Sequence, residues 1–148
     1  MDTDALHILL ADDDEDDRLF FKDAIESIRV KTVLKMVNDG QQLMDLLIKG
    51  NGVLPDIIFL DLNMPRKGGI ECLEEIRSEE KYRNISIVIY STSSSEEDIE
   101  KTFLKGANIY LRKPDEFGKL KKMIAEVLSI NWQYHTTRLN KENFLLVI

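Results

Sequence analysis

Short runs of consecutive apolar residues alternate along this chain with stretches in which apolar residues return every third or fourth position. The first kind predicts strands at Leu6–Ala11, Thr32–Val37, Asp56–Leu60, Ser86–Tyr90 and Asn108–Arg112. The second kind predicts helices between them. Phe20, Ala24 and Ile28 share one face with Phe21 and Ile25; Leu43, Leu46 and Leu47 mark a second helix; Ile70, Leu73 and Ile76 a third; Ile99 and Phe103 a fourth; Phe117, Leu120, Ile124 and Val127 a fifth. Five strand–helix repeats predict an α/β fold: a doubly wound, five-stranded parallel sheet with right-handed crossovers and helices on both faces. The strands are apolar throughout rather than alternating, as a sheet covered on both sides requires. Residues 1–130 read as one domain. Residues 131–148 break the pattern and read as a C-terminal extension too short to be a second domain.

The polar residues that interrupt the apolar runs fall at the carboxyl ends of the predicted strands, where open parallel sheets form their sites. The first strand delivers Asp12 and Asp13. The third delivers Asp61, followed by Asn63 and Pro65. The fourth delivers Ser91 and Thr92, and the fifth Lys113 and Pro114. Carboxylates crowded together cost free energy unless a cation joins them. Asp12, Asp13 and Asp61 are hard oxygen donors of the kind that suits Mg²⁺, which is commonly held by one or two carboxylates, waters and a phosphate. Lys113 adds a compact positive charge, and Ser91 or Thr92 a hydroxyl donor. These parts make a cradle for a group with several anionic oxygens, such as a phosphoryl group. The central carboxylate, Asp61, can itself be the nucleophile and become an aspartyl phosphate.

Composition narrows the setting. The 148 residues carry a formal net charge of −7, which disfavours broad binding to nucleic acid or anionic membranes. Cys72 is the only cysteine, so no internal disulfide forms, in keeping with a reducing cytoplasm. The acidic start Met1-Asp2-Thr3-Asp4 is unlike a secretion signal, and no apolar stretch approaches the roughly 20 residues of a membrane span.

Four segments together resemble the receiver domain of two-component response regulators: Ile8-Leu9-Leu10-Ala11-Asp12-Asp13; Pro55 through Pro65, with Asp61 at its centre; Ser91-Thr92-Ser93; and Gly106 through Pro114. They stand in that family's order and spacing across residues 6–128. The last two are most similar to small stand-alone receivers that serve phytochrome-type or other hybrid sensor kinases. The resemblance implies a flavodoxin-like, CheY-like (βα)5 fold and a single-domain signalling protein, not an enzyme with an external substrate. It supports its own phosphorylation and slow autodephosphorylation. It implies Asp61 as phosphoacceptor. Asp13, Asp61 and the backbone carbonyl of Asn63 would be Mg²⁺ ligands, with Asp12 acting through a metal-bound water. Lys113 would pair with the phosphoryl group, and Pro114 would follow a cis peptide bond. Ser91 and Tyr110 would be the switch pair, Tyr110 turning inward as Ser91 moves toward the phosphate. Asn63 and Ser93 match positions that tune phosphoryl hydrolysis. The implied partner is a sensor histidine kinase or histidine phosphotransfer protein, with a homodimer through the fourth-helix, fifth-strand, fifth-helix face. Without an appended DNA-binding or enzymatic domain, output is expected through protein contacts.

Other readings weigh against these. A Mg²⁺-dependent phosphohydrolase of the haloacid-dehalogenase type would place its nucleophile at Asp12 and a second acid at Asp14, but Glu15-Asp16 departs from that loop and no cap domain is present. Asp16 and Asp17 read as a solvated acidic first turn. The acidic run also lacks the glycine and closing glutamate of a calcium loop. His7 and His135 have no ligand-like partners in sequence, Cys72 reads as inert, and the Lys119, Lys121, Lys122 cluster as a solvated face. Phe144–Ile148, apolar throughout, is expected to pack, whether over an apolar patch or as a strand added to another molecule.

Overall fold

A computed structural model describes residues 5–50, 53–134 and 145–146. Strands β1 (Leu6–Ala11), β2 (Thr32–Val37), β3 (Ile57–Leu60), β4 (Ser86–Ser91) and β5 (Ile109–Arg112) alternate with helices α1 (Glu15–Glu26), α2 (Gly40–Lys49), α3 (Gly69–Ser78), α4 (Glu96–Leu104) and α5 (Phe117–Tyr134). The sheet order is β2-β1-β3-β4-β5-β6, all parallel. The five expected strands are thus present, their ends within one residue of the sequence reading. A two-residue sixth strand, β6 (Leu145–Leu146), comes from the C-terminal tail and pairs with β5, Leu145 opposite Tyr110 and Leu146 opposite Leu111. Of the stretch Phe144–Ile148, Leu145 and Leu146 thus extend this chain's own sheet rather than another molecule's, and the other three residues lie outside the described residues. An unpaired edge of backbone N–H and C=O groups is the reason a sheet recruits such a strand.

Side chains of successive strand residues face opposite layers, and the core divides accordingly. Leu9, Ala11, Ile58, Leu60, Ile87 and Ile89 pack with Leu43, Leu47, Leu73 and Ile76 of α2 and α3. Ile8, Leu10, Ile57, Phe59, Val88 and Tyr90 pack with Phe21, Ile25, Leu120 and Ile124 of α1 and α5. Phe117 departs from the expected core face: it is 39% exposed and meets Phe20 edge-on, centroids 5.6 Å apart.

Two glycines allow the helices to close on the tip of β3. A Cβ on Gly69 would lie 2.2 Å from the Asp61 carbonyl oxygen, and one on Gly40 would lie 2.1 Å from that of Lys67. The loop between β3 and α3 turns through Arg66, whose φ of 67° is the only positive value at a non-glycine residue among the described residues.

Candidate functional site

Parallel register brings the acids together. Ala11 of β1 is paired with Leu60 of β3, so the next residues, Asp12 and Asp61, leave adjacent strand tips side by side, and the Asp61 N–H donates to the Ala11 carbonyl at 3.0 Å. This is where the strand order reverses, with β1 between β2 and β3. Asp13 follows Asp12 and stays exposed, whereas Asp12 is fully buried and Asp61 is 5% exposed. Carboxylate oxygens of Asp12, Asp13 and Asp61 all lie within 4.8 Å of one another. On the other side, Ser91 of β4 is paired with Arg112 of β5, and the Lys113 N–H donates to the Ser91 carbonyl at 2.8 Å. That bond sets Lys113 beside the acids.

The Lys113 ammonium is shared by three carboxylates: Asp12 Oδ2 at 2.8 Å, Asp17 Oδ2 at 2.9 Å and Asp61 Oδ2 at 3.3 Å. It also lies 5.3 Å from the centre of the Tyr90 ring. Asp17 was expected to be a solvated first-turn acid. Its position on the first turn of α1, pointed back over the strand tips, makes it a partner of Lys113 instead, a contact spanning 96 residues. Asp14, at the start of the same helix, accepts the Asp17 N–H at 3.0 Å as the N-cap.

Charge is incompletely balanced here. Burial raises the pKa of Asp61 from its ordinary 3.8 to about 6; nearby Lys113 opposes the rise and Asp12 adds to it. Burial likewise raises Asp12, against the close Lys113 ammonium and the hydrogen bond from the Asp14 N–H. Lys113 loses by burial, but its close contacts with Asp12 and Asp17 and the charge of Asp61 outweigh that and hold it protonated. Asp12 Oδ2 is buried without a hydrogen-bond donor of suitable geometry; its 2.8 Å approach to Lys113 is an ion contact that supplies charge but leaves lone pairs open. A hard divalent cation fits this set: three converging oxygen donors, one under-satisfied, in an acid cluster that a single ammonium does not neutralise.

Ser91 is fully buried, and its hydroxyl accepts the Ser93 N–H at 3.1 Å; Thr92 is exposed. Tyr110 is also fully buried and already faces inward, its hydroxyl donating to the Ser93 carbonyl at 2.9 Å. The Asn63 N–H reaches Asp61 Oδ1 at 3.4 Å. One expectation is corrected: no described residue has a cis peptide bond, so Lys113–Pro114 is trans. The trans form is favoured by about 0.5–1 kcal/mol at X–Pro bonds, and here it already delivers the Lys113 ammonium to its three carboxylates. Cys72 is buried beside the Gly40 carbonyl; burial pushes its thiol up to about 12, an inert cysteine. His135 lies outside the described residues.

Residues 8–125 match the family model for the response regulator receiver domain. The chain is 32% identical over 123 residues to the probable methanogenesis regulatory protein FilR2 of Methanothrix harundinacea, covering 81% of this chain and 79% of that one. It is 30% identical over 126 residues to response regulator Rcp1 of Synechocystis, covering 82% and 86% respectively. The crystal structure of Rcp1 in its Mn²⁺-bound form superposes with a TM-score of 0.77 at 28% identity over 91% of this chain and 99% of that one. The phosphorylated cyanobacterial phytochrome response regulator RcpA superposes with a TM-score of 0.79 at 31% identity, covering 90% of this chain and 97% of RcpA.

Proposed function

Because the chain belongs to the response regulator receiver domain family of two-component signalling, we propose that Asp61 is the residue that takes the phosphoryl group. Receiver domains of this family accept it from histidine kinases or histidine phosphotransfer proteins, and the haloacid-dehalogenase alternative finds no support in the comparisons. The observation that carries the assignment is the meeting of Asp12, Asp13, Asp61 and Lys113 at adjoining strand tips.

Asp61 is ionised above about pH 6, and a carboxylate oxygen then attacks the phosphorus of a donor phosphohistidine. The P–O bond to Asp61 forms as the P–N bond breaks, and the leaving imidazole takes up a proton. Asp13, Asp61 and the Asn63 carbonyl would hold Mg²⁺, with Asp12 beside them, and the ion would supply charge neutralisation for the phosphoryl oxygens. Lys113 exchanges part of its carboxylate contacts for a phosphoryl oxygen, and Ser91 donates its hydroxyl to another. The Ser91–Tyr110 pair then carries the change to the face formed by α4, β5 and α5, by shifting a pre-existing equilibrium. That face is the proposed homodimer surface, with residues 131–148 an extension of the same unit. The acidic net charge of −7 favours protein over nucleic-acid partners, and the single buried thiol suits a cytoplasmic setting. Among the described residues no helix is long and apolar enough to cross a membrane.

Incubation with acetyl phosphate and Mg²⁺ should add one phosphoryl mass to the intact chain, and Asp61→Asn or excess EDTA should abolish the addition. Undiminished labelling of the Asn variant would defeat the assignment.

A further inference from the structure

Asp98 lies in the first turn of α4, outside the acidic cluster. Glu96 and Glu97 beside it are exposed, whereas Asp98 is half-buried, and its Oδ2 accepts the Ser93 hydroxyl at 2.7 Å. Ser93 is the hub of the loop between β4 and α4. Its N–H donates to Ser91 Oγ at 3.1 Å, its carbonyl accepts the Tyr110 hydroxyl at 2.9 Å, and its Oγ accepts the Ser95 N–H at 3.2 Å. Asp98 is itself fixed to the helix: its N–H donates to the Ser95 hydroxyl at 3.0 Å, and its carbonyl accepts the hydroxyl of buried Thr102 at 2.8 Å. One carboxylate thus links a rigid helix turn to the residue that seats Tyr110 and touches Ser91. A first-turn acid serving only the helix dipole would have no need of the Ser93 bond.

We propose that Asp98 is a positioning residue of the switch: through Ser93 it holds the carbonyl on which Tyr110 sits, and so biases the domain toward the inward arrangement that receives a phosphoryl group at Asp61. The inference rests on the phosphoacceptor reading above. A hydrogen bond to a carboxylate is stronger than one between neutral groups, and this one ties Ser93 to the first turn of α4. Without it, the Ser93 carbonyl is held less firmly against the Tyr110 hydroxyl, and the state that binds the phosphoryl group becomes less populated.

Calorimetric titration of the full chain with beryllofluoride and Mg²⁺, a stable phosphoryl mimic, tests this. Asp98→Ala should weaken binding about tenfold, the ratio that corresponds to about 1.4 kcal/mol. Asp98→Asn keeps an oxygen that accepts the Ser93 hydroxyl but not the charge, and its affinity should fall between those of Asp98→Ala and the parent chain. Ser93→Ala removes the same bond from its other end and should reproduce the Asp98→Ala loss, so the question is answerable even if one variant folds poorly. In a Tyr110→Phe background, which has no hydroxyl to seat, Asp98→Ala should cause no additional loss. Unchanged binding by Asp98→Ala, or an equal loss with and without the Tyr110 hydroxyl, would overturn the inference. A parent chain that binds no beryllofluoride would overturn the phosphoacceptor reading and this inference together, whereas parent binding with an unaffected Asp98→Ala overturns this inference alone.

Discussion

Replacing Asp61 by Asn should make the metal-free protein more stable at neutral pH, although it removes the proposed phosphoacceptor. The folded state raises the Asp61 pKa from 3.8 to about 6, and each pKa unit corresponds to about 1.4 kcal/mol. Keeping Asp61 ionised at neutral pH therefore costs the fold on the order of 3 kcal/mol relative to the unfolded chain. The sign follows from proton counting. Between about pH 4 and pH 6 the native state holds more protons than the unfolded one, so stability falls as pH rises through that window, and the penalty is fully present above it. Asparagine carries no such penalty. It surrenders the Lys113 contact at 3.3 Å, the longest of three, while Asp12 and Asp17 retain the ammonium. The variant should thus gain about 1–3 kcal/mol in urea denaturation at pH 7.5 with EDTA, and the gain should vanish near pH 4. Saturating Mg²⁺ should stabilise the parent by about 3 kcal/mol at a hundredfold excess over its Kd, and the variant by less. An Asn variant no more stable than the parent at pH 7.5, or a difference independent of pH, would refute this account of the acid cluster.

Three further outcomes are expected. Gly69→Ala, whose new Cβ would sit 2.2 Å from the Asp61 carbonyl oxygen, should lower stability by about 3 kcal/mol and impair labelling by acetyl phosphate; a fully stable, fully labelled variant would contradict the close packing described. Arg66→Gly relieves a left-handed backbone at φ 67° and should raise the urea midpoint, by about 1 kcal/mol in stability; its Asp39 contact at 3.7 Å, on a largely exposed arginine, is too weak to reverse that. Ending the chain at Tyr134 should accelerate hydrogen exchange at Tyr110 and Leu111, which face β6; unaltered exchange would mean the tail strand contributes nothing to β5.

The strand tips were legible in the sequence because parallel pairing converts one-dimensional order into proximity. Once Ala11 stands opposite Leu60, the residues that follow must be neighbours, whatever separates them along the chain. Asp17 was not legible. Its role depends on where the first turn of α1 points and on a lysine 96 residues away, and neither leaves a local signal distinct from the helix-start preference for acids. Asp98 escaped for the same reason, sharing its turn with Glu96 and Glu97. The tail was legible as apolar and able to add a strand, but not as pairing with its own β5, since two paired residues carry no periodicity. The Lys113–Pro114 bond was expected in the wrong isomer: the two forms of an X–Pro bond lie close in free energy, and the choice belongs to the surrounding loop.

The central claim is that the phosphoryl group resides on one particular carboxylate among several crowded at the same strand tips. Treating the acetyl phosphate-labelled chain with borohydride reduces an aspartyl phosphate to homoserine, and peptide sequencing then locates it. The account predicts homoserine at position 61 with Asp12, Asp13 and Asp17 intact; homoserine at any of those three, with Asp61 unmodified, would contradict it.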